Sequence, residues 1–519
     1  MLRILRRLMA ICIFGSLTFF FLDAAEILPA CVSYLAKIQL VPAFLAHRWI
    51  IVVFLVFMTF FLGRFYCSTI CPLGILQDII ARAGRFFSRK RKYTFSPAKN
   101  RLRWAVVLMT GIFIACGFSL ALTLLDPYSI FGRTATNVFR PVYLSVNNLL
   151  SYFDTQSRVF PYVNPAVLSL EAFFFAFFVL LGIGILAYRN GRTYCNTICP
   201  LGTILGFLAR FSLFKIRLAH DKCIGCGKCA RQCKSSCIDI QQKKVDASRC
   251  VTCFNCLGIC PTDALNFSLF SSGTKHSETH PDTDSRSSVT ENTPCPPDGM
   301  SKRAFLVTLT AVLGAVKKGF SQPLEIFQTG KHPFTRSTPV APPGAVSITH
   351  LKEHCTACHL CVSKCPVQIL KPAFMEYGLD GAFMPHMEFS RGFCTYDCTL
   401  CGEVCPNGAI LPLTQEEKHR TQVGHVVFLE KNCVVTVDGK NCGACAEHCP
   451  TQAVTMVPYK DSLTIPKIDP EICVGCGGCE SICPVRPYKA IYVEGNQEHL
   501  RRKEFEDQKV EIEIDDFGF

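Results

Sequence analysis

Residues 223–233 read CIGCGKCARQC, with four cysteines separated by two, two and three residues. Each iron of a [4Fe-4S] cube binds one thiolate, and three closely spaced cysteines plus a distant fourth, commonly followed by proline, supply the four ligands. Sets of this kind occur six times in the 519 residues and use 24 of the 33 cysteines. The sequence therefore predicts six [4Fe-4S] clusters, and five of the six sets end in Cys-Pro.

Two of the sets are adjacent and predict a two-cluster ferredoxin domain at residues 216–270. They consist of Cys223, Cys226, Cys229 and Cys233, followed by Cys250, Cys253, Cys256 and Cys260. In such domains the fourth cysteine of each set binds the other cluster. We therefore expect Cys260 to join the first trio and Cys233 to join the second. Lys234 stands where proline is usual, and Cys237 is a spare thiol.

The other four sets predict a four-cluster ferredoxin domain at residues 340–495. They are Cys355, Cys358, Cys361 and Cys365; Cys394, Cys398, Cys401 and Cys405; Cys433, Cys442, Cys445 and Cys449; and Cys473, Cys476, Cys479 and Cys483. The spacing widens to three residues after Cys394 and eight after Cys433. Widened loops suit an inner pair, so we expect the outer sets to pair and the inner sets to pair. Sequential pairing is the alternative.

Other cysteine chemistries fit this pattern less well. Disulfides formed within so many C-x2-C pairs would be strained. Zinc sites usually have four ligands and lack a C-x3-C-P ending. Residues 355–359 match the C-x-x-C-H site of a c-type haem. Cys361 and Cys365 follow directly, which favours a cluster there as well.

The first part of the chain predicts an α-helical membrane domain at residues 1–215. The mean hydropathy is +0.27. Four apolar stretches approach or exceed the ~20 residues that cross a bilayer as a helix. They are Leu8–Leu22, which could begin as early as Ile4, then Ala43–Leu62, Leu102–Leu125 and Ala166–Tyr188. A cleaved signal peptide is the alternative interpretation of the first stretch. The predicted fold is four membrane helices plus α+β domains of the bacterial-ferredoxin type.

The net charge of +14 does not indicate a nucleic-acid partner, because basic residues concentrate beside the predicted membrane helices. They cluster in residues 82–103 and 189–217. Loops rich in Lys and Arg stay on the cytoplasmic side. We therefore predict a protein of the inner membrane, with its N-terminus and two-cluster domain in the cytoplasm.

A twelve-residue repeat follows two of the membrane stretches. GRFYCSTICPLG at residues 63–74 recurs as GRTYCNTICPLG at residues 191–202, with ten identical positions. Each copy ends a helix that runs inward, so Cys67, Cys71, Cys195 and Cys199 are expected at one membrane face. Four thiolates there could hold an additional metal or iron-sulfur centre, or act as dithiols. The alternative is a structural turn in which proline starts an interfacial helix.

The two halves are joined by a stretch of different composition. Residues 271–300, rich in Ser, Thr, Asp and Pro, predict a disordered linker. Residues 301–320 begin SKRAFL and continue as a short apolar run, similar to a twin-arginine export signal with Lys for the first Arg. Such a segment would form a fifth membrane helix and place the four-cluster domain in the periplasm. A cytoplasmic amphipathic helix is the alternative. Residues 496–519 predict an acidic tail.

The C-x3-C-P repeats, the helices and the two-cluster domain resemble the NapH-type membrane ferredoxins, which share features with the NosR and CcoG groups. The second half resembles NapG, a four-cluster ferredoxin. The chain thus looks like a fusion of the two. The resemblance implies a quinol dehydrogenase-type component, which passes electrons from the membrane quinone pool to a terminal reductase or cytochrome. A CcoG-like redox or metal assembly factor, or ferredoxin-to-quinone transfer, are the alternatives.

The residues that would bind quinol are only weakly indicated. Asp126, Arg133 and Arg140 lie in a predicted outer loop, and Glu171 lies within the fourth apolar stretch, where a carboxyl group suggests a function. The membrane stretches hold one histidine, His47, which argues against a bis-histidine haem.

Overall fold

Most of the described residues among the first 210 lie in helices, as their apolar runs predict. The computed structural model describes residues 2–23, 28–87, 93–153, 163, 169–269, 336–460 and 462–502. The helices here are α1 Leu2–Leu22, α2 Ser33–Lys37, α3 Leu40–Leu45, α4 Trp49–Leu62, α5 Tyr66–Thr69, α6 Pro72–Phe87, α7 Asn100–Ala115, α8 Leu120–Leu125, α9 Pro127–Thr134, α10 Arg140–Phe153, α11 Leu170–Asn190, α12 Thr193–Thr197 and α13 Pro200–Ala209. A π-helical segment, Ala135–Phe139, joins α9 to α10.

Two of the described helices, α1 and α11, are long and apolar enough to cross a membrane. Each has 21 residues, or about 30 Å of helix, which matches the hydrocarbon thickness of a bilayer. The structure therefore gives two candidate spans where the hydropathy pattern predicts four. The helix α4 is apolar but shorter, at 14 residues.

The predicted second and third spans are interrupted. Ala43–Leu62 breaks between α3 and α4, where His47 has φ 53°. Leu102–Leu125 breaks between α7 and α8 at Gly117, with φ 81°. Positive φ ends a right-handed helix, so neither prediction of one continuous span is correct. Hydropathy does not register such breaks, because the residues on both sides remain apolar.

The two-cluster module is a small α+β unit. Its helix α14 covers Lys228–Gln232, and its strands are β1 Lys215–Leu218, β2 Ile238–Asp239, β3 Lys244–Val245 and β4 Leu265–Ser268. The strands β1 and β4 pair antiparallel, as do β2 and β3. Ile216, Ile238 and Leu265 pack with the cluster cysteines into one core.

The four-cluster module combines short helices with three two-stranded antiparallel sheets. Its helices are Ile348–His354, Leu360–Lys364, Leu400–Val404, Gln415–Arg420, Val434–Asp438, Ala444–Glu447 and Gly478–Ile482. Its strands pair as β5 Leu370–Pro372 with β6 Pro385–Met387, β7 Thr421–Phe428 with β10 Ile491–Arg501, and β8 Val454–Pro458 with β9 Thr464–Ile468.

The boundaries of the last segments differ from those predicted, or cannot be compared. Strand β10 continues to Arg501, so the acidic tail begins later than residue 496. The predicted linker at 271–300 and the export-like segment at 301–320 lie outside the described residues. The described residues all belong to one compact unit, formed by Met1–Phe270 and Thr335–Phe519.

Candidate functional site

The two cysteine sets of the two-cluster module exchange their fourth members. Burial is the main cause of the raised pKa of Cys256, and the thiolates of the second trio and of Cys233 add to it. Burial likewise raises the pKa of Cys229, with contributions from Cys226 and Cys260. Cys233 therefore lies with the second trio and Cys260 with the first, as the sequence predicts. The spare thiol of Cys237 is 3.5 Å from the sulfur of Cys233.

In the four-cluster module the first set pairs with the second. Burial, followed by the thiolates of Cys358, Cys355 and Cys405, raises the pKa of Cys361. Burial, followed by Cys394, Cys365 and Cys398, raises the pKa of Cys401. Cys405 and Cys365 have thus exchanged places between the first two sets. The predicted pairing of outer with outer and inner with inner is wrong here.

The third and fourth sets exchange in the same way. Burial is the first cause of the raised pKa of Cys433, to which Cys442 and Cys483 contribute. The pKa of Cys476 is raised to about 11 by burial and then by Cys473 and Cys449. The structure therefore has sequential pairing. The wide loop after Cys433 joins two cysteines of the same set. Its length therefore does not indicate which sets pair with each other.

The sulfur groupings suit cubes better than other cysteine chemistry. None of the described cysteines forms a disulfide. Among the described residues, no group of three or more His, Cys, Asp or Glu side chains is arranged to hold a single metal ion. Four sulfurs that each bind a different iron stand farther apart than four around one ion. Since burial raises the pKa of Cys394 to about 11, a thiolate there needs a compensating positive centre such as iron.

The structure brings the four cysteines of the twelve-residue repeat together. Cys67, Cys71, Cys195 and Cys199 are each at most 5% exposed and belong to one core. Burial, and next the thiolate of Cys195, raises the pKa of Cys71. We call this group the four-thiol site.

Helix starts and donors surround the four-thiol site. Cys199 is the N-cap of α13, with Pro200 at its first position, and its sulfur accepts from the backbone N–H of Gly202 at 3.2 Å. Gln77 Nε2 lies 3.3 Å from the sulfur of Cys195. Because helix N-termini carry partial positive charge, Cys-Pro at the start of α6 and α13 offsets part of the cost of burying thiolates at this site.

Two buried arginines cross-connect the repeats. Arg64 Nη2 donates to the carbonyl of Cys195 at 3.1 Å, and Arg192 Nη1 donates to the carbonyl of Cys67 at 2.5 Å. Both guanidinium groups are at most 1% exposed. Each copy of the repeat therefore fixes the cysteine backbone of the other. Arg64 and Arg192 were not among the residues predicted from the cysteine pattern. The Gly-Arg that opens both copies of the repeat is the sequence signal that could have identified them.

Asp78 on α6 links α1, the repeat and the two-cluster module. Its carboxylate pairs with Arg192 and with Lys234, the residue that replaces the usual proline, and Arg6 on α1 lies 3.7 Å away. Burial alone would raise the pKa of Asp78, but the charges of Arg192 and Lys234 outweigh it and lower the pKa. The two-cluster module is thus anchored near the start of α1.

The four-cluster module contacts the other end of α1. Lys364 Nζ lies 3.1 Å from the carboxylate of Asp23, the residue after α1. Asn137 Nδ2 lies 3.0 Å from His359 Nδ1, and the rings of Phe175 and Phe383 stack at 4.4 Å. The four-cluster module thus contacts one end of this 21-residue helix, and Asp78 links the two-cluster module to the other end.

A continuous core runs between the two modules. It contains the four-thiol site, Val251 of the two-cluster module, and Cys358 and Leu360 of the four-cluster module. Aromatic side chains fill the space between, and they are Phe21, Tyr66, Tyr128, Phe131 and Tyr194. One buried cluster of residues therefore reaches from the four-thiol site to both modules.

Two of the predicted quinol-site residues meet in this core. Asp126 is 1% and Arg133 2% exposed, and each has a buried polar atom without a hydrogen-bond partner, as does the Tyr128 hydroxyl. Burial is the main cause of the raised pKa of Asp126, so this carboxyl group can hold a proton. Glu171 is exposed at the start of α11 and does not join them.

A second feature is an apolar groove of about 740 Å³ between α6 and α11. Leu76, Ile80, Phe139, Leu180 and Gly184 are among its lining residues, and Tyr188 and Arg189 stand at one end. Leu76 also packs in the core that holds the four-thiol site. The groove therefore gives an apolar ligand access to the neighbourhood of these cysteines.

Four segments of the chain match protein-family models. A model described as a 4Fe-4S binding domain matches residues 47–94 and 171–219. Both copies of the repeat lie within these ranges. A model described as a 4Fe-4S dicluster domain matches residues 222–264 and 440–486. The latter range holds cysteines of the third and fourth sets, in agreement with their pairing in the structure.

Named relatives match parts of the chain. An uncharacterized protein of Methanocaldococcus jannaschii is 26% identical over 42% of this chain and 70% of its own length. The methylamine utilization ferredoxin-type protein MauM of Methylobacillus flagellatus is 31% identical over 29% of this chain and 66% of its own length. The ferredoxin-type protein NapG of Escherichia coli is 30% identical over 27% of this chain and 64% of its own length. The chain thus spans about two thirds of each relative. No solved structure matches it.

Proposed function

We propose that this chain, a multi-cluster 4Fe-4S ferredoxin similar to NapG and to the NapH-type membrane ferredoxins, carries electrons from quinol across the inner membrane to a terminal periplasmic reductase. One observation carries the proposal. Asp78 links the two-cluster module to the start of α1, the four-cluster module contacts the residue after its end, and one buried core reaches both modules. A helix of about 30 Å between two redox modules has the length of a bilayer crossing.

The 24 cysteines are assigned to six clusters on the basis of the sulfur groupings. Bound [4Fe-4S] clusters supply one-electron storage. The residues of the chain hold them in three sequential pairs, so that each module is internally connected. The pair beginning at Cys355 lies against α1 and α9, because the backbone at Cys358 contacts Gly132. This pair is the entry to the four-cluster module.

The four-thiol site is assigned to an additional iron-sulfur centre. Its four sulfurs lie in the core between the modules, and two helix starts and the cation of Arg64 stand beside them. These groups offset the negative charge of four thiolates. The position midway along the core is what a relay between the modules requires.

Quinol is assigned to the apolar groove between α6 and α11. Its volume lies within the roughly 300–1,000 Å³ of small-molecule sites, and its lining suits an isoprenoid chain. Two-electron oxidation of quinol releases two protons, and the electrons leave singly. Asp126, buried with an unpartnered oxygen near Cys358, can take up one of these protons, and the other is released to water.

A bulky side chain placed in the groove tests this proposal. An added Cβ at Gly184 meets nothing within 4 Å, and Gly184 lines the groove. Gly184→Phe in the full chain, reconstituted in liposomes, should raise the quinol concentration for half-maximal cluster bleaching by about tenfold, or ~1.4 kcal/mol.

The matched control is Gly182→Phe, on the same helix. Its Cβ also meets nothing within 4 Å, and the residue does not line the groove. We expect its quinol dependence to equal that of the unmodified chain. Equal effects of the two variants would contradict the groove assignment. Absence of quinol-driven bleaching in the unmodified chain would contradict the function itself.

A further inference from the structure

A strongly cationic hollow lies beside the two-cluster module, and the electron route does not use it. Its volume is about 610 Å³. Six cations line it, and they are Arg3, Arg7, Arg82, Arg85, Lys228 and Arg231. They come from three separate elements, α1, α6 and α14, so tertiary folding collects them in one place. No described acidic residue lines the hollow.

Among the described residues, no carboxylate pairs with the cations of the hollow. Arg3 and Arg7 each have a buried Nε without a hydrogen-bond partner. Arg85 donates to the neutral amide of Gln232 at 2.6 Å. Crowding six like charges is unfavourable unless an anion is bound.

We propose that the hollow binds the phosphate diester headgroup of an anionic phospholipid. Arg3 and Arg7 occupy the first turns of α1, a candidate membrane span, which is the level of lipid headgroups. Phe86, 80% exposed, stands at the lip where an acyl chain would lie. Basic pockets between membrane helices on the cytoplasmic side are typical headgroup sites.

The shape of the hollow favours a headgroup over an acidic redox protein. Protein partners bury about 800 Å² of a broad surface, whereas a hollow of this volume is of small-ligand size. A bound lipid would tie α1 and α6 to the two-cluster module. It would thereby hold that module against the membrane surface beside the four-thiol site.

The test is lipid binding to the full, cluster-loaded chain in detergent, measured by native mass spectrometry. The probes are phosphatidylglycerol, phosphatidylcholine and inorganic phosphate. We expect phosphatidylglycerol to bind about tenfold or more tightly than phosphatidylcholine. Arg7→Gln with Arg82→Gln should remove that preference. Lys222→Gln with Lys244→Gln, an equal charge change at exposed sites outside the hollow, should retain it.

Three results would overturn the proposal. Equal affinity for the two lipids, or a preference that survives in the Arg7 and Arg82 double variant, would exclude a headgroup site. Displacement of the lipid by inorganic phosphate at equal concentration would indicate a free-phosphate site. Binding of an acidic redox protein that is lost in this variant, without lipid binding, would assign the hollow to a protein partner. The visible absorbance of the clusters verifies that the variants fold.

Discussion

At the scale of single residues, the twelve-residue repeat shows how one motif serves two purposes. The cysteines supply sulfur, and the Gly-Arg that opens each copy supplies the support. Gly74 and Gly202 are necessary for the crossing, because an added Cβ would meet the carbonyls of Cys67 and Cys195 at 2.4 and 2.3 Å. Those same carbonyls accept from Arg192 and Arg64. The repeat is therefore built around close backbone contact, which only glycine permits there.

The metal content of the four-thiol site is the first prediction. Cys71→Ser with Cys199→Ser should remove the metal of this site, because hydroxyl groups are poor ligands for iron in place of thiolates. The six clusters, about 24 irons in total, should remain. Iron and sulfide analysis of the purified chain measures the loss.

The control for this prediction is Cys12→Ser with Cys116→Ser, two exposed thiols outside the sulfur groupings. Its metal content should match that of the unmodified chain. An unchanged metal content in the Cys71 and Cys199 double variant would instead assign these residues to a structural turn.

At the scale of elements, the apolar runs predicted where helices form but not where they stop. α1 and α11 follow their runs closely. The other two runs break at His47 and Gly117, where the backbone has positive φ. The short helices that result place Asp126 and the π-helical segment inside the core. A straight span through Leu125 would have left Asp126 at the surface, as the outer-loop prediction assumed.

The contact between α9 and the four-cluster module is the second prediction. An added Cβ at Gly132 would lie 2.3 Å from the carbonyl of Cys358, so the module must shift. Overpacking of this kind costs about 1–3 kcal/mol. Gly132→Val should therefore make residues 336–502 several-fold more sensitive to trypsin in the intact chain.

Gly111→Val on α7 is the matched helical substitution, because its Cβ meets nothing within 4 Å. We expect its trypsin sensitivity to equal that of the unmodified chain. If both valine variants were digested at the same rate, the contact at Cys358 would not be what holds the module in place.

At the scale of the whole molecule, the sidedness of the four-cluster module is the third prediction. Since the two modules are held at opposite ends of α1, one through Asp78 and the other at Asp23, they should face opposite sides of the membrane. Protease added to intact spheroplasts should remove the epitope formed by residues after Glu498. An epitope inserted in residues 88–92, among the basic residues after α6, should remain protected.

Protection of both epitopes would contradict the crossing. All six clusters would then be cytoplasmic, and a cytoplasmic redox partner would become the better account. Digestion of the 88–92 epitope in spheroplasts, with the epitope after Glu498 protected, would reverse the orientation predicted from the basic loops.

The cluster chemistry was determined by the sequence, because cysteine spacing is local and each trio lies within one loop. The convergence of the two repeats was also predictable, since both follow apolar stretches that were predicted to run in the same direction. The exchange of Cys233 and Cys260 followed from the adjacency of their sets. These features depend on short stretches of chain and on one repeated motif.

The tertiary structure alone decided which sets pair, and what lies between the modules. Cys365 and Cys405 exchange because tertiary folding brings their two sets together, which spacing does not encode. The ion pairs of Asp78 with Lys234 and of Asp23 with Lys364 join residues more than 150 positions apart. Such contacts form only when distant segments of the chain pack into one core, so no local sequence pattern predicts them. The buried core that joins the two ferredoxin modules is therefore decided by tertiary packing and not by local sequence.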